Sequence, residues 1–351
     1  MSRVVLVTEA FHPAVDESTI TVRHLADELV KVGHQVLLIS AAPGMAVYRR
    51  SRVVRIRPWE PVGSQVRAGL SEFRPDLVLV ASPGTIGRKA LKHAQRLGVP
   101  TVSLEHRAPN ELSVEPWQTR VPGRSDLLLT VSRWQQLRLT ETGHDCLAWQ
   151  PGVDLDTFTP EAREPHLHAR WARTHHPEGP LTAVGYVGPL RRRDGVRRLQ
   201  ELNALPGIRP VVIGHGRQRE WLRDRMRRIT FLPDLSSVEL ARAIASLDVL
   251  VHPGEELTSG HAVRAATACG VPVVAARAGA APELVRHLET GLLFEPRADE
   301  FVDEVAALVS DRSRAEFGRH ARAEAERRTW AAATGELLDL VAPLLAPARA
   351  A

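Results

Sequence analysis

The chain has 351 residues, 44% of them hydrophobic and 25% charged, with a formal net charge of +5. This length favours two domains, each with its own core, and the composition fits a globular enzyme. No apolar run is long enough to span a membrane, and the first apolar stretch is too short for a signal peptide and predicts a strand. Cys146 and Cys269 lie far apart in the sequence and predict no disulfide framework, so a reducing cytosol is the expected compartment.

The positive charge is carried almost entirely by arginine, because the only lysines are Lys31, Lys89 and Lys92. The planar guanidinium suits phosphate recognition, since it donates two hydrogen bonds in a fixed geometry. A general bias towards arginine and alanine is the preferred explanation for most of these residues. Charge alone is compatible with a nucleic acid partner, but no RNA-binding or DNA-binding motif accompanies it, so none is expected.

A β–α–β pattern opens the chain. Residues 4–7 form an apolar run typical of a buried strand, and a long loop follows at 8–18. Residues 19–32 show the apolar spacing of an amphipathic helix, and 36–39 form a second apolar run. This order predicts a doubly wound parallel sheet.

A stretch that predicts a further strand is unusually basic, with Arg49, Arg50, Arg52, Arg55 and Arg57. Charged side chains on an exposed strand edge prevent unwanted strand pairing. The alternative is electrostatic attraction to an anionic membrane surface. The solvated edge is the preferred interpretation, and peripheral membrane contact stays open as the alternative.

The most informative stretch, residues 246–296, begins with an apolar strand at 249–251. A polar loop follows at 255–260, a helix rich in small residues begins near His261, and a second apolar run returns at 271–275. This is another β–α–β unit, and its loop lies at the carboxyl end of a strand, where open α/β sheets bind ligands. Free N–H groups at the start of the helix suit an anion such as a phosphate.

The same stretch carries a sequence motif with His252-Pro253, Ala268, Gly270, Pro272-Val273-Val274, Gly279, Pro282-Glu283 and Thr290-Gly291. It resembles the donor-binding motif of the retaining GT-B glycosyltransferases of family 4. Residues 11–40 are similar to that family too, and most closely to its GDP-mannose-dependent α-mannosyltransferases. The resemblance extends from Val4 to near Leu345 and so covers most of the chain.

The resemblance implies an α/β GT-B fold. In this fold, two Rossmann-like doubly wound domains face a cleft, and the C-terminal helix crosses back to the first domain. The implied segments are an N-terminal acceptor-side domain, a linker rich in Pro, Glu and His, a C-terminal nucleotide-sugar-binding domain, and a crossing helix with a tail. Their respective boundaries are 1–160, 161–180, 181–329 and 330–351.

On the donor side, the resemblance implies that glycine turns, an arginine cluster and the loop before a helix bind the nucleotide sugar. These residues are Gly188, Arg191, Arg192, Arg193, Gly214, Gly216, Glu256, Thr258, Ser259, Gly260 and His261. The two donor glutamates of the family fall on Leu257 and Ala265, with Glu256 one residue out of register, and its Arg-Lys pair falls on Pro189 and Asp194. The three arginines lie between the last two positions. They either restore the contact with the diphosphate or are solvated loop residues.

On the acceptor side, the resemblance places Asp16, Glu17 and Ser18 in a loop that approaches the substrates, where the first two replace an Asn-Gly pair of the family. Glu105 aligns with a histidine that approaches the acceptor and the donor sugar, and His106 is adjacent to it. His106 is therefore the candidate catalytic residue. A histidine at a strand end is more often a hydrogen-bonded structural residue, and that alternative stays open.

The implied function is transfer of a hexose, with mannose favoured, from a nucleotide-diphosphate sugar to an acceptor, with retention and without a metal. GDP-mannose is the favoured co-substrate, and no cofactor is expected. The acceptor is a lipid, a sugar or a small metabolite. The alternative is a catalytically impaired pseudo-glycosyltransferase that binds a ligand or a partner subunit, because several donor-site charges are missing together. The expected location is the cytoplasm, with peripheral association at the inner face of the membrane as a variant.

No metal site is expected in this chain. The expected linker contains four histidines, His166, His168, His175 and His176. No cysteine or carboxylate cluster joins them, and nothing in the pattern orders them on one rigid element. A solvated linker is the preferred interpretation of this segment.

Overall fold

The computed structural model describes residues 1–12, 16–107, 114–173, 180–233, 235–298 and 300–345. The chain divides into two compact units, one formed by Met1–Pro151 with Trp330–Ala351 and the other by Gly152–Thr329. His175 and His176 of the expected linker lie outside the described residues, and so do residues 346–351 of the tail. Within the described ranges, no helix has both the length and the apolar character needed to cross a bilayer.

The first unit is built on one 8-stranded sheet. Its strands in chain order are β1 (Arg3–Thr8), β2 (Gln35–Ala41), β3 (Val47–Tyr48), β4 (Ser51–Ile56), β5 (Leu77–Ala81), β6 (Thr101–Glu105), β7 (Leu127–Thr130) and β8 (Leu147–Ala148). They lie side by side in the order β3-β4-β2-β1-β5-β6-β7-β8. Neighbouring strands are parallel except β3 and β4, which form an antiparallel pair. The chain therefore winds outward from β1 in both directions, and the predicted doubly wound sheet is confirmed.

Helices cover both faces of this sheet. They are α1 (Glu17–Lys31), α2 (Val62–Phe73), α3 (Thr85–Arg96), α4 (Val114–Arg120) and α5 (Arg133–Glu141). In β1, Val4 and Leu6 pack into a hydrophobic cluster with α1, whereas Val5 and Val7 pack into a second cluster with α2 and α3. Successive side chains of a strand point to opposite faces, so a parallel sheet with both faces covered needs apolar residues at every position.

The second unit is built on a 6-stranded sheet. Its strands are β9 (Thr182–Val187), β10 (Ile208–Ile213), β11 (Thr230–Leu232), β12 (Val249–His252), β13 (Val273–Ala276) and β14 (Gly291–Phe294). They lie in the order β11-β10-β9-β12-β13-β14, and each neighbouring pair is parallel. Here the winding reverses between β9 and β12. The second unit is thus another Rossmann-like doubly wound domain.

The helices of the second unit are α6 (Pro165–Ala172), α7 (Arg219–Arg225), α8 (Ser237–Ala245), α9 (His261–Ala268), α10 (Ala281–Leu284), α11 (Phe301–Ser310) and α12 (Arg314–Ala325). The small residues of α9 allow it to pack closely against the neighbouring strands. Val263 and Ala266 are fully buried there. The β–α–β unit predicted for this stretch is therefore confirmed as β12, α9 and β13.

The segment expected to be a linker, residues 161–180, contains α6, which packs on the second unit. Trp171 is only 4% exposed and joins the hydrophobic cluster of the second unit. Asp248 accepts hydrogen bonds from His168 at 2.9 Å, from Arg163 at 3.2 Å and from the backbone N–H of Ala183 at 2.8 Å. Trp171 and the two partners of Asp248, His168 and Arg163, fix the helix on the second unit. The polar composition of the segment therefore did not indicate this packing.

The last described helix, α13 (Trp330–Leu345), belongs to the first unit although the second unit precedes it in the chain. Trp330, Leu337 and Val341 join the hydrophobic cluster that contains α1. The indole of Trp149 donates a 2.8 Å hydrogen bond to the carbonyl oxygen of Ala333. The C-terminal helix therefore returns to the first domain, as the resemblance implied.

Candidate functional site

In the second unit, the candidate site lies at the carboxyl ends of β9 and β12. The sheet order reverses between these strands, and open α/β sheets bind ligands at such a reversal. The residues expected to bind the donor lie in the segments that follow β9, β10 and β12. They therefore belong to the carboxyl-end edge of the sheet. The fold therefore brings these three loops together.

Close backbone contacts hold the three loops in place. The backbone N–H of Leu190 donates to the carbonyl oxygen of His215 at 2.8 Å. Gly214 has φ 146°, and a Cβ there would overlap the carbonyl oxygen of Gly188. A Cβ at Gly254 would lie 2.8 Å from the carbonyl oxygen of Asp194. Glycine is required at both positions because neighbouring loop backbones fill the space that a side chain needs.

Arg191, Arg192 and Arg193 are exposed at the tip of the loop after β9. No ion pair is found for these three side chains among the residues that the structure describes. The backbone of Asp194, which the resemblance aligns with a lysine of the family, packs against the loop after β12. The positive charge of this loop is therefore carried by the long guanidinium side chains of Arg191, Arg192 and Arg193. Position 194, where the resemblance implies a lysine, carries no cation.

The two residues that the resemblance aligns with the donor glutamates are apolar and buried. Leu257 is 8% exposed and Ala265 is 5% exposed, and both belong to the hydrophobic cluster of this unit. The carbonyl oxygen of Leu257 accepts a 2.8 Å hydrogen bond from the backbone N–H of Ala280, which fixes the loop. Glu256 is exposed, so its carboxylate points away from this cluster. The site thus keeps the backbone of the motif and has apolar packing in place of its carboxylates.

The start of α9 lies beneath this loop. Thr258 and Ser259 are buried, Gly260 adopts φ 62° as the N-cap, and His261 is the first helical residue. The guanidinium Nε of Arg264 donates a 3.1 Å hydrogen bond to the carbonyl oxygen of Ser259. Burial, followed by the charge of Arg328, lowers the pKa of Arg264 to about 9, while the charge of Glu283 opposes the shift. A buried cation therefore supports the loop from within.

In the first unit, the corresponding reversal lies between β1 and β5. Asp16 caps α1, because its carboxylate accepts from the backbone N–H of Thr19 at 2.8 Å and from the hydroxyl of Ser18 at 2.7 Å. The Ser18 hydroxyl is also 3.0 Å from that of Thr8, at the end of β1. Two of the expected acceptor-side residues, Asp16 and Ser18, therefore form the helix cap itself.

His106 follows β6 and is only 2% exposed. Its Nε2 is 2.9 Å from the hydroxyl of Thr21, and its Nδ1 is 3.0 Å from the hydroxyl of Ser82. A neutral imidazole has one donor and one acceptor, so these two contacts use both ring nitrogens. Burial lowers the pKa of His106, and the charges of Glu17 and Asp16 oppose that shift. The fold therefore places His106 near Asp16 and Glu17, two of the three expected acceptor-side residues.

Two carboxylates near this site were not among the predicted site residues. Glu9 accepts hydrogen bonds from the backbone N–H groups of Gly87 at 2.8 Å and Ile86 at 3.2 Å, at the start of α3. Glu105 is fully buried and accepts a 2.8 Å hydrogen bond from the indole of Trp117. The available sequence signal was the position of each carboxylate at the carboxyl end of an apolar strand, because such positions lie at the ligand-binding edge of a parallel sheet.

Comparisons with known proteins give the relationships of the chain. Residues 18–157 match the family model described as Glycosyltransferase Family 4, and residues 182–311 match that described as Glycosyl transferases group 1. The GDP-mannose-dependent alpha-mannosyltransferase of Mycolicibacterium smegmatis is 31% identical, over 96% of this chain and 96% of that protein. A protein of the same name from Mycobacterium tuberculosis is 32% identical, over 96% of this chain and 95% of that protein.

The chain belongs to glycosyltransferase family 4. Solved structures agree on the fold of this family 4 glycosyltransferase. Sucrose-phosphate synthase from Thermosynechococcus elongatus is 18% identical with a TM-score of 0.78, covering 99% of this chain and all of that one. Anabaena HepE in complex with UDP-glucose is 17% identical with a TM-score of 0.81, covering 98% of this chain and 100% of that one. The expected family and the GT-B fold are therefore confirmed, whereas the roles of individual site residues stay predictions.

Proposed function

We propose that this glycosyltransferase transfers mannose from GDP-mannose to an acceptor with retention and without a metal. The observation that carries the proposal is the alignment of nearly the whole chain with enzymes named GDP-mannose-dependent alpha-mannosyltransferases. One relative that matches over 54% of this chain is named D-inositol 3-phosphate glycosyltransferase, and one that matches over 76% is named a sulfoquinovosyl transferase, so the names of similar proteins do not point to one substrate. A lipid, a sugar or a small metabolite is the acceptor class that we propose.

On the donor side, the proposed binding site is the edge formed by the loops after β9, β10 and β12. Gly188, Gly214 and Gly216 form the turns whose backbone N–H groups bind the diphosphate, and the arginines 191–193 neutralise its charge. The loop from Thr258 to His261 presents backbone N–H groups to the sugar. Backbone donors do not depend on side-chain identity, so they persist where the carboxylates of the motif are absent.

The difficult step of this reaction is departure of the nucleoside diphosphate, which gains negative charge in the transition state. Removing a cation that stabilises such charge costs several kcal/mol, on the order of a hundredfold in rate or more. We propose that Arg191, Arg192 and Arg193 supply this stabilisation in place of the cations missing at Pro189 and Asp194. The proposal is supported by their exposure and by the lack of ion pairs for them in the described part of the chain.

On the acceptor side, we propose that His106 contacts the reacting groups, with Asp16, Glu17 and Ser18 lining the approach. Support comes from the charges of Asp16 and Glu17, which act on the His106 ring. Peripheral contact with the inner face of a membrane is part of the same proposal, because it would bring a lipid acceptor within reach.

Calorimetry with GDP, UDP, GDP-mannose and UDP-glucose tests the donor, followed by a turnover assay on each nucleotide sugar that binds. Binding of GDP and GDP-mannose in preference to the uridine compounds is expected. No binding at nucleotide concentrations on the order of 1 mM would contradict the proposal. The variant with Arg191→Ala, Arg192→Ala and Arg193→Ala should lose turnover by about a hundredfold or more. Arg319→Ala, at an exposed position on α12 of the same unit, is the control and should keep it.

A second candidate is a pseudo-glycosyltransferase that binds a nucleotide or a partner subunit without transfer. The burial of Leu257 and Ala265, at both donor-glutamate positions, favours it. The same experiments separate the two functions. Tight nucleotide binding with no turnover of any nucleotide sugar, in wild-type protein and arginine variant alike, would support the second function.

A further inference from the structure

The basic run between Arg49 and Arg57 is largely occupied within the fold. Arg52 pairs with Glu72 at 2.5 Å, Arg57 with Glu60 at 2.6 Å, and Arg49 with Asp27 at 3.3 Å. Arg55 donates to the backbone carbonyl oxygens of Met45, Phe11, Ala41 and His12. These side chains therefore have protein partners, and the run is a poor candidate for contact with an external anion.

The outward side of α3 is different. One side of this helix packs into the core of the first unit through Ile86, Ala90 and Ala94. The other side carries basic residues at helical spacing, and they include two of the three lysines of the chain: Arg88, Lys89, Lys92, His93 and Arg96. In the described ranges, no ion pair is found for the two lysines or for Arg88 and Arg96.

These charges form one face together with α2. The pKa of the Lys92 ammonium is lowered first by Arg96 and then by Lys89, so the three cations lie close enough to repel one another. The pKa of His93 is lowered first by burial, and then by the charges of Arg96 and of Arg67 in α2. A Cβ at Gly63 of α2 would lie 3.3 Å from the His93 ring, so the two helices meet there. No carboxylate contributes to either pKa shift, so an anion from outside would relieve this repulsion.

Exposed apolar side chains flank these helices in the sequence. Trp59, in the turn before α2, is 76% exposed, and Leu97, which follows α3, is 47% exposed. Exposed tryptophan beside lysine and arginine is typical of surfaces that bind at the membrane–water interface, where the ring enters the headgroup region. The exposed leucine adds apolar area, which a lipid surface can bury and the phosphate backbone of a nucleic acid cannot.

We propose that this basic face, formed by Arg67, Lys89, Lys92, Arg96 and the flanking Trp59 and Leu97, docks on an anionic membrane surface. It supplies the surface for the membrane contact included in the proposed function, and it requires no sugar transfer. Each lysine or arginine near an anionic leaflet adds to the attraction, and the two apolar residues anchor the protein at the interface. Nucleic acid is the competing partner, but the exposed tryptophan before α2 and the exposed leucine after α3 favour lipid.

Flotation with phosphatidylcholine vesicles, with and without phosphatidylglycerol, tests this surface. The wild-type protein should float with the anionic vesicles, should not float with the neutral ones, and should be released at molar salt. The variant with Lys89→Glu, Lys92→Glu and Arg96→Glu should lose roughly tenfold or more in partition to the anionic vesicles. Its matched control carries Arg223→Glu, Arg312→Glu and Arg319→Glu, with the same change in net charge on exposed residues of the second unit, and should bind as wild type.

Trp59→Ala should weaken anionic binding while the salt dependence stays, because it removes the anchor and leaves the charges. Equal binding of the α3 variant and wild type would overturn the inference, and so would equal binding of wild type to neutral vesicles. Tighter binding to a labelled RNA oligonucleotide that competes with the vesicles would also overturn it. Calorimetry with GDP-mannose on the same variants keeps this result distinct from failure of the proposed function, because the nucleotide affinity should not change.

Discussion

The indole Nε1 of Trp117 donates a 2.8 Å hydrogen bond to the carboxylate Oε1 of Glu105, and this pair is buried at the end of β6. Burial raises the pKa of Glu105 to about 7, and the hydrogen bond from Trp117 opposes the shift. The carboxyl group is therefore largely protonated in the folded protein under mildly acidic conditions, whereas it is ionised in the unfolded chain above its ordinary value of 4.5.

The first prediction concerns stability against pH. Because the folded pKa is raised, the stabilising contribution of Glu105 is fully present below the unfolded pKa of 4.5 and is lost as the pH rises towards about 7. The contribution falls by about 2–3 kcal/mol between pH 5 and pH 8. Urea unfolding of wild type and Glu105→Gln at both pH values measures it, since glutamine still accepts from Trp117 and does not titrate. A constant difference between the two proteins would show that the carboxyl group titrates normally.

The second prediction separates a catalytic from a structural role of His106. His106→Gln should lower kcat for sugar transfer and leave the KM for the nucleotide sugar unchanged, because the residue is proposed to act at the acceptor side. Thr21→Val is the control, since it removes one hydrogen bond to the ring and keeps the histidine. If both variants only lower the free energy of unfolding, with kcat intact, His106 is a structural residue of the network.

The His106 pKa gives this experiment a second readout. Because burial lowers it, the ring is neutral at pH 7, and its stabilising contribution is present above the ordinary value of 6.5 and lost as the pH falls through the folded pKa. The wild-type free energy of unfolding should therefore decrease on acidification below pH 6.5 by more than that of His106→Gln.

The sequence predicted local features of the site better than its long-range pairs. The resemblance implied glycine turns at Gly188, Gly214 and Gly216, and such turns can be recognised because their chemistry depends on a few adjacent residues. The pairing of Glu105 with Trp117, or of His106 with Thr21, depends on which helix returns above which strand. A sequence pattern does not specify that packing, so the partners Trp117 and Thr21 were not predicted.

The third prediction tests the backbone contacts at the donor-side loops. Gly214→Ala should lower the free energy of unfolding by about 1–3 kcal/mol, because the new Cβ meets the carbonyl oxygen of Gly188 at a positive φ. Gly335→Ala in α13 is the control, since no atom lies within 4 Å of its added Cβ. Alanine in a helix interior should stabilise the protein there by about 0.5–1 kcal/mol. Equal effects of the two substitutions in thermal or urea unfolding would contradict this assignment.

Apolar packing at the motif positions was also beyond the sequence. The resemblance to family 4 placed Leu257 and Ala265 on the donor-glutamate positions, and that assignment stays a prediction. It did not reveal that both side chains join the core cluster, because burial depends on the loop around Ala280 and the helix α10 that cover them. An apolar residue in a polar loop is the one local sign of such packing.

The fourth prediction concerns restoration of the missing carboxylates. Leu257→Glu and Ala265→Glu would each place a carboxylate among buried apolar side chains, where an unpaired charge is costly. Each substitution should lower the free energy of unfolding by about 2–4 kcal/mol and should not raise the rate of sugar transfer. Glu256→Ala, next to Leu257 but exposed, should change stability by no more than about 0.5 kcal/mol. Urea unfolding and turnover with GDP-mannose measure both effects. A stable Leu257→Glu protein with faster transfer would contradict this prediction. It would show that the introduced carboxylate reaches the sugar and that apolar packing at position 257 is not required.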